Sequence, residues 1–374
     1  MGEGDELPYW LALRRAGLGT TSFALLIAKF GSIAEAWNAP PGELKAAGID
    51  EPYVRSVARV KASFDAEEEL RKLERAGARA LTWRDAEYPQ RLREIPQSPP
   101  VLVVRGNAGP EFAHAVAVVG TRSVTPYGRQ AAETFCAALA ELGVAIISGL
   151  ARGVDAIAHR VALEHGAPTV AVLAGGVDQV YPRENAGLAE RIAENGCLVS
   201  EYPLGTPARR DFFPRRNRIL SGLARAVLVV EAGEGSGALH TANWAFEQGR
   251  DVFAVPGSIF SLQSAGTNQL IRENTAKLVA RPEQLAEELN LLHAGAQLPL
   301  PGAAAPAAQA AQVARAAAAA SDDPILQLLA AGPLHIDELV RALGRPAAEV
   351  SGALALLEID GLVRQAGPMT YAIA

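Results

Sequence analysis

Cysteine is nearly absent. Two in 374 residues, Cys136 and Cys197, make no disulfide framework, so a reducing compartment is expected. No apolar run approaches the ~18–20 residues that span a bilayer. The N-terminal MGEGDELPYW is acidic where a secretory leader would be basic, and a cytoplasmic location is therefore expected. The six histidines (His114, His159, His165, His240, His293, His335) stand at no metal-ligand spacing, alone or with the cysteines. No structural zinc, and no other metal, is expected. Lysine is also scarce: five of the 35 basic residues are lysine and the other 30 are arginine. Bias of the source genome accounts for that ratio, so what informs is where the arginines sit. The net charge of −6 excludes a histone-like basic coat but not a local phosphate-binding cluster.

With 49% hydrophobic and 20% charged residues, the chain is an ordinary globular one with ample core, long enough for two or three domains. Residues 1–68 predict short helices hinged at glycines, with Ser32 as an N-cap, in the manner of a SAM-like or helix-hairpin-helix module. The Gly17-Leu18-Gly19 hairpin has the form that points backbone N–H groups at a phosphate. Seven basic and eight acidic residues over 1–65 favour a packing or protein-contact role instead. Residues 69–292 alternate apolar runs with amphipathic helices, and glycine-rich turns follow the runs. That pattern predicts an α/β domain with a doubly wound, mostly parallel Rossmann-like sheet, binding at the C-terminal ends of its strands. An Ala/Pro-rich linker, 293–322, leads to three helices and a hairpin over 323–374, a winged-helix pattern.

The densest chemical signal is Pro207-Ala-Arg-Arg-Asp-Phe-Phe-Pro-Arg-Arg-Asn-Arg218, read as a loop. Arg209, Arg210, Arg215, Arg216 and Arg218 face one Asp211, with Phe212 and Phe213 among them and Asn217 beside them. Cations interleaved with flat rings suit single-stranded nucleic acid. Three glycine-rich turns add backbone donors and hydroxyls: Gly120-Thr121-Arg122-Ser123, Ser148-Gly149 through Arg152 to Asp155, and Gly233 through Ser236-Gly237 to Thr241. Neither G-x-x-x-x-G-K-[ST] nor G-x-G-x-x-G occurs, so neither a P-loop nor a dinucleotide cofactor is expected, and the site is read as needing no cofactor. Asp155, His159, Glu231 and His240 are the acid–base candidates. Asp155 and His159, four apart on one helix, are within reach of each other, although a helix-start carboxylate and a satisfied histidine is the favoured reading. The last helix of the tail, Ala347 to Ile359, carries no Lys or Arg, and 323–374 holds three basic against six acidic residues. A protein-contact role suits it better than phosphate binding.

Together these motifs resemble the DNA-processing protein A (DprA/Smf) family. The likeness rests on Val119-Gly-Thr-Arg122 with Tyr127-Gly128, Ser148-Gly-Leu-Ala-Arg-Gly-Val-Asp155, and Ala174-Gly-Gly-Val-Asp178 with Tyr181-Pro182. It continues through Ser200-Glu-Tyr-Pro203, Phe213-Pro-Arg-Arg-Asn-Arg218, Ser236-Gly237, and Pro256-Gly257 with Gly266-Thr-Asn268. The resemblance implies a cytoplasmic, non-enzymatic binder of incoming single-stranded DNA in natural transformation. Such a protein protects the strand, loads the RecA recombinase and dimerises through the Rossmann-like domain. It also implies Arg122 and Arg215-Arg216-Asn217-Arg218 as the leading DNA contacts. Two alternatives stay open. One is a nucleotide hydrolase of the lysine-decarboxylase-like type, although Gly233–Thr241 lacks that group's final glutamate. The other is a protein-interaction scaffold.

Overall fold

The computed structural model describes residues 6–107, 109, 112, 114–291, 323–329, 334–359, 362–367 and 369–373. The predicted linker lies outside them. The chain divides between Ala294 and Gly295 into two compact units.

The first unit begins with six helices: α1 (Leu7–Arg15), α2 (Thr20–Phe30), α3 (Ile33–Asn38), α4 (Pro41–Ala46), α5 (Glu51–Lys61) and α6 (Ala66–Arg75). Ser32 caps α3 by accepting from the Glu35 N–H at 3.1 Å. In the Gly17-Leu18-Gly19 hairpin two of the backbone donors are already used. The Gly17 and Leu18 N–H groups donate to Arg14 and Leu13 carbonyls, and Arg14 Nη1 donates to the Leu18 carbonyl at 2.7 Å.

There follow β1 (Ala78–Thr82), α7 (Gln90–Arg93), β2 (Val101–Arg105), β3 (Ala115–Val119), α8 (Pro126–Glu141), β4 (Ala145–Ser148), α9 (Val154–Glu164), β5 (Thr169–Val172), α10 (Ala186–Asn195) and β6 (Cys197–Ser200). The unit ends with α11 (Phe212–Leu223), β7 (Ala226–Val229), α12 (Gly237–Glu247), β8 (Asp251–Ala254), α13 (Ala265–Arg272), β9 (Lys277–Leu278) and α14 (Pro282–Glu288). The strands form one sheet in the order β1-β2-β6-β5-β4-β3-β7-β8-β9. Pairs from β6 to β9 are parallel, and β1 and β2 extend the edge antiparallel.

Both faces are covered, and the two-residue period of the strands sorts side chains between them. Val116 and Val118 of β3 join Phe135 of α8 and Ile157 of α9, whereas Ala117 and Val119 face Leu220 of α11 and Ala242 of α12. Trp10, Phe23 and Leu26 of the N-terminal helices share a core with Val103, Ala171 and Leu198 of the sheet. The helical segment is therefore part of the sheet's packing. Among the described residues no helix is long and apolar enough to cross a membrane.

The second unit holds α15 (Pro324–Leu329), β10 (Leu334–His335), α16 (Ile336–Leu343), α17 (Ala347–Ile359), β11 (Val363–Gly367) and β12 (Thr370–Ile373). The expected hairpin gains β10 as a third strand, in the order β10-β12-β11. Its core includes Ile325, Leu329, Leu339 and Leu354.

Candidate nucleic-acid interface

Parallel pairing brings the C-terminal ends of β3 to β8 to one edge. The sheet order sets β4, β3 and β7 side by side, so the three glycine turns, dispersed in sequence, are neighbours there. Gly153, at φ +75°, lies so close to the Thr121 and Arg122 carbonyls that a Cβ would overlap them. The β3 and β4 turns thus touch backbone to backbone.

The arginine-rich segment is not the expected loop. From Phe212 onward it is helix α11, with Pro214 in the first turn where its missing N–H costs no hydrogen bond. Depth along the segment then separates five arginines that look alike in sequence: after its first turn α11 is buried on every side. Arg209, Arg210 and Arg215 are exposed. Arg216, Asn217 and Arg218, expected as leading DNA contacts, are buried. Arg218 donates from Nη1 and Nη2 to the Glu201 carboxylate at 2.6 and 3.0 Å and from Nε to the Gln97 carbonyl at 2.9 Å. Arg14 of α1 meets the same carboxylate at 3.3 Å. Asn217 donates to the Gly237 carbonyl at 3.2 Å, joining α11 to α12.

Arg216 runs beneath the edge and donates from Nη1 to the Val172 carbonyl. Gly149 is buried directly against its guanidinium, where any Cβ would collide with it. Burial lowers the Arg216 pKa to about 10, against the pull of Asp155, so the group is charged at neutral pH. Asp155 accepts from the Gly149 and Ala151 N–H groups, both at 3.2 Å, which shapes the β4 turn. Burial raises its pKa, with Arg216 opposing.

The accessible chemistry lies above this layer. Phe213, half-buried, has the Arg122 guanidinium over its ring at 5.2 Å and Arg216 at 5.9 Å. Tyr181, more than half exposed, meets its edge at 5.8 Å. Tyr181 was visible in the sequence only as part of the Tyr181-Pro182 motif. Its place beside Phe213 comes from the fold. Arg122 and Arg210 are exposed and make no hydrogen bond or ion pair with another described residue. Arg209 bonds Asp211 at 3.2 Å and stands over Phe212 at 5.1 Å. Phe212 itself is stacked on Tyr202 at 4.1 Å, so its ring holds the loop together rather than facing out for a base.

The remaining predicted positions divide similarly. Ser123 is exposed, Gly120 is half-buried against Val154 and the Glu231 carbonyl, and Thr121 is buried and donates to Gln263 at 3.2 Å. Ser236 accepts from the Ala238 N–H as the N-cap of α12, whose first residue is the exposed Gly237. Arg152 is exposed but forms a two-point pair with Glu184 at 2.7 Å. Beyond the β8 end, Ile259, Phe260 and Leu262 form a highly exposed apolar tip that the sequence reading passed over.

Of the acid–base candidates, Asp155, Glu231 and His159 are spent separately, and His240 is exposed without a hydrogen-bond partner among the described residues. Glu231 accepts from the N–H and hydroxyl of Thr125 at 2.9 and 2.6 Å, capping the start of α8. Burial pushes both cysteine thiols up to about 12. His159 does not pair with Asp155: its Nδ1 lies 2.7 Å from Thr169 Oγ1. The Thr169 hydroxyl proton goes to the Ile146 carbonyl, so Nδ1 carries the imidazole proton and Nε2 is bare and unpartnered. Burial lowers the His159 pKa to about 3. An unfolded histidine titrates near ~6.5, so the stability tied to neutral His159 is complete above that value. It is lost as the pH falls toward 3, at up to roughly 1.4 kcal/mol per pH unit. Urea melts between these limits are expected to lose about one proton's worth of slope in His159→Gln. An unchanged slope contradicts the buried neutral ring. Among the described residues no group of three or more His, Cys, Asp or Glu side chains is arranged to hold a metal.

A parallel sheet whose edge displays unpaired arginines around an aromatic pair, joined in one chain to a winged-helix unit, defines a class of nucleic-acid-handling protein. The chain belongs to the DNA recombination-mediator protein A family, whose model matches residues 79–290, and the DprA winged helix domain model matches 304–367. It is similar to Protein Smf of Synechocystis sp., 34% identical over 98% of both chains. Among solved structures it is similar to DNA processing protein A of Streptococcus pneumoniae, with a TM-score of 0.66 and 33% identity over 74% of this chain and 95% of that one. It is also similar to DNA processing protein A of Helicobacter pylori, described for its single-stranded DNA binding mode. That match has a TM-score of 0.52 and 29% identity over 57% of this chain and 96% of that one.

Proposed function

We propose that the protein is a single-stranded DNA-binding recombination mediator of the cytoplasm. In this reading it protects incoming DNA in natural transformation, loads the RecA recombinase onto it, and acts as a homodimer through the Rossmann-like domain without turning over nucleotides. The observation that carries the reading is Phe213, flanked by Arg122 and Tyr181 at an edge where Arg210 is also unpaired. Free guanidinium groups suit phosphates, and aromatic rings at an arginine-lined edge suit unstacked bases. The Helicobacter pylori relative, described for single-strand binding, supports it. The proposed division is a helical module at 1–68, the DNA-binding domain at 69–292, a linker at 293–322 and the winged-helix domain at 323–374.

Anisotropy of labelled single- and double-stranded oligonucleotides across salt tests the reading. A preference for the single strand that weakens with salt is expected, and equal affinity for both forms would overturn it. The winged-helix domain is expected to be dispensable for this affinity. Its α17 carries no basic residue, and residues 323–374 are net acidic. Deleting 322–374 should change affinity by less than about tenfold, or 1.4 kcal/mol. A larger loss with the first unit still folded shows that the domain binds DNA.

A further inference from the structure

The first turn of α11 has a second side. At about 100° per residue, Arg215 points some 200° around the helix from Phe213. There, with Pro214, it lines a cleft of about 350 Å³ against α12. From α12 come His240, Asn243, Trp244 and Glu247, spaced as one helical face. Two hydrogen bonds hold the two helices together. Asn217 donates to the Gly237 carbonyl at 3.2 Å, and Gln248 Nε2 donates to the Arg218 carbonyl at 3.0 Å.

The polar groups of this cleft are idle. Arg215, His240, Asn243 and Glu247 are exposed and Trp244 is half-buried, and no side chain among the five makes a hydrogen bond or ion pair with another described residue. Arg215 and Glu247 have opposite charge and line the same cleft without pairing. Elsewhere on this protein, exposed arginines such as Arg71, Arg75 and Arg152 are matched by carboxylates. A half-buried indole lining the cleft, a free guanidinium on the same lining, and unspent donors and acceptors around it fit one ligand class. That class is a heteroaromatic base carrying a phosphate.

We propose that this cleft is a second nucleotide subsite, occupied by the same single strand that the Arg122–Phe213 edge holds. Trp244 stacks a base, Arg215 meets the adjoining phosphate, and Asn243 and Glu247 accept from base-edge N–H groups. The strand then bends around the start of α11, one nucleotide on each side of the Phe213-Pro214-Arg215 turn. This inference rests on the single-strand reading above.

Tryptophan emission and oligonucleotide anisotropy, measured together on the full chain with labelled oligothymidylate, separate the two. Trp10 and Trp37 are buried, and Trp83 donates to Ser98 at 3.1 Å in the N-terminal packing, so Trp244 is the tryptophan placed to respond. Oligothymidylate is expected to quench the emission with the same midpoint as the anisotropy rise, and Trp244→Phe should abolish the quench. Trp244→Ala should weaken binding by roughly five- to a hundredfold, the range of one stacked base, with the salt slope unchanged. Arg215→Ala, on an exposed side chain, should flatten the slope by about 0.7 without moving the melting temperature. If anisotropy reports binding while quench, affinity and slope are indifferent to all three replacements, the cleft is not a subsite. If the unmodified protein gives no anisotropy change, the single-strand reading itself fails.

Discussion

Arg218→Ala is expected to destabilise the protein by about 3–5 kcal/mol, the cost of leaving a buried charge without its partner. Arg218 and Glu201 have side chains only 7% and 9% exposed, 2.6 Å apart. Burial pushes the Glu201 carboxyl up. The bonds from Arg218 and the charge of Arg14 outweigh it and hold the pKa below the ordinary carboxylate range. Removing Arg218 leaves that carboxylate to Arg14 alone and also frees the Gln97 and Arg215 carbonyls. The loss should be read as a lower urea midpoint at constant m-value. Glu201→Gln should cost less, since its amide oxygen still accepts from the guanidinium. Whatever folded Arg218→Ala protein remains should bind oligonucleotide with an unchanged salt slope. A flatter slope with stability preserved would return Arg218 to the DNA contacts.

The opposite signature is expected at the surface. Arg122→Ala and Arg210→Ala should each leave stability within about 1 kcal/mol, because neither side chain makes a hydrogen bond or ion pair with the described protein and Arg122 gives up only its exposed contact with the Phe213 ring. Each should weaken single-strand binding by roughly 1.5–3 kcal/mol, the value of a charge-assisted hydrogen bond. Each should also flatten the log–log salt slope by about 0.7, one phosphate's share. The weakening should be uniform across sequences, because phosphates carry no base information. Phe213→Ala should reduce affinity by about 1–3 kcal/mol with the slope nearly constant, as expected for a lost base stack. If the slope ignores Arg122 and Arg210 alike, the strand does not cross this edge.

The contrast between Arg218 and Arg122 shows where sequence reasoning stops. Short apolar runs ending in glycine, each followed by an amphipathic helix, determined the parallel sheet, because a strand buried on both faces has no polar alternation to display. The same runs determined that the glycine turns collect at one edge. The five arginines around Phe212 and Phe213 stood out in the sequence, and Ile219, Leu220 and Leu223 behind them carried a helical signal that the charge obscured.

Only the tertiary structure decided which arginines are free. Burying a guanidinium requires a carboxylate or carbonyls to receive it. For Arg218 these are Glu201 and Gln97, 17 and 121 residues away, and for Arg216 the carbonyl of Val172, 44 residues away. No local pattern encodes such partners. Once α11 starts at Phe212, only its first turn reaches the surface: Arg215 lies there, whereas every residue from Arg216 to Leu223 is buried. Arg216 and Arg218, about 200° apart, therefore both end inside on different sides of the helix. The cleft beside Trp244 arises in the same way, from two helices that meet in space and carry nothing in their sequences to announce it.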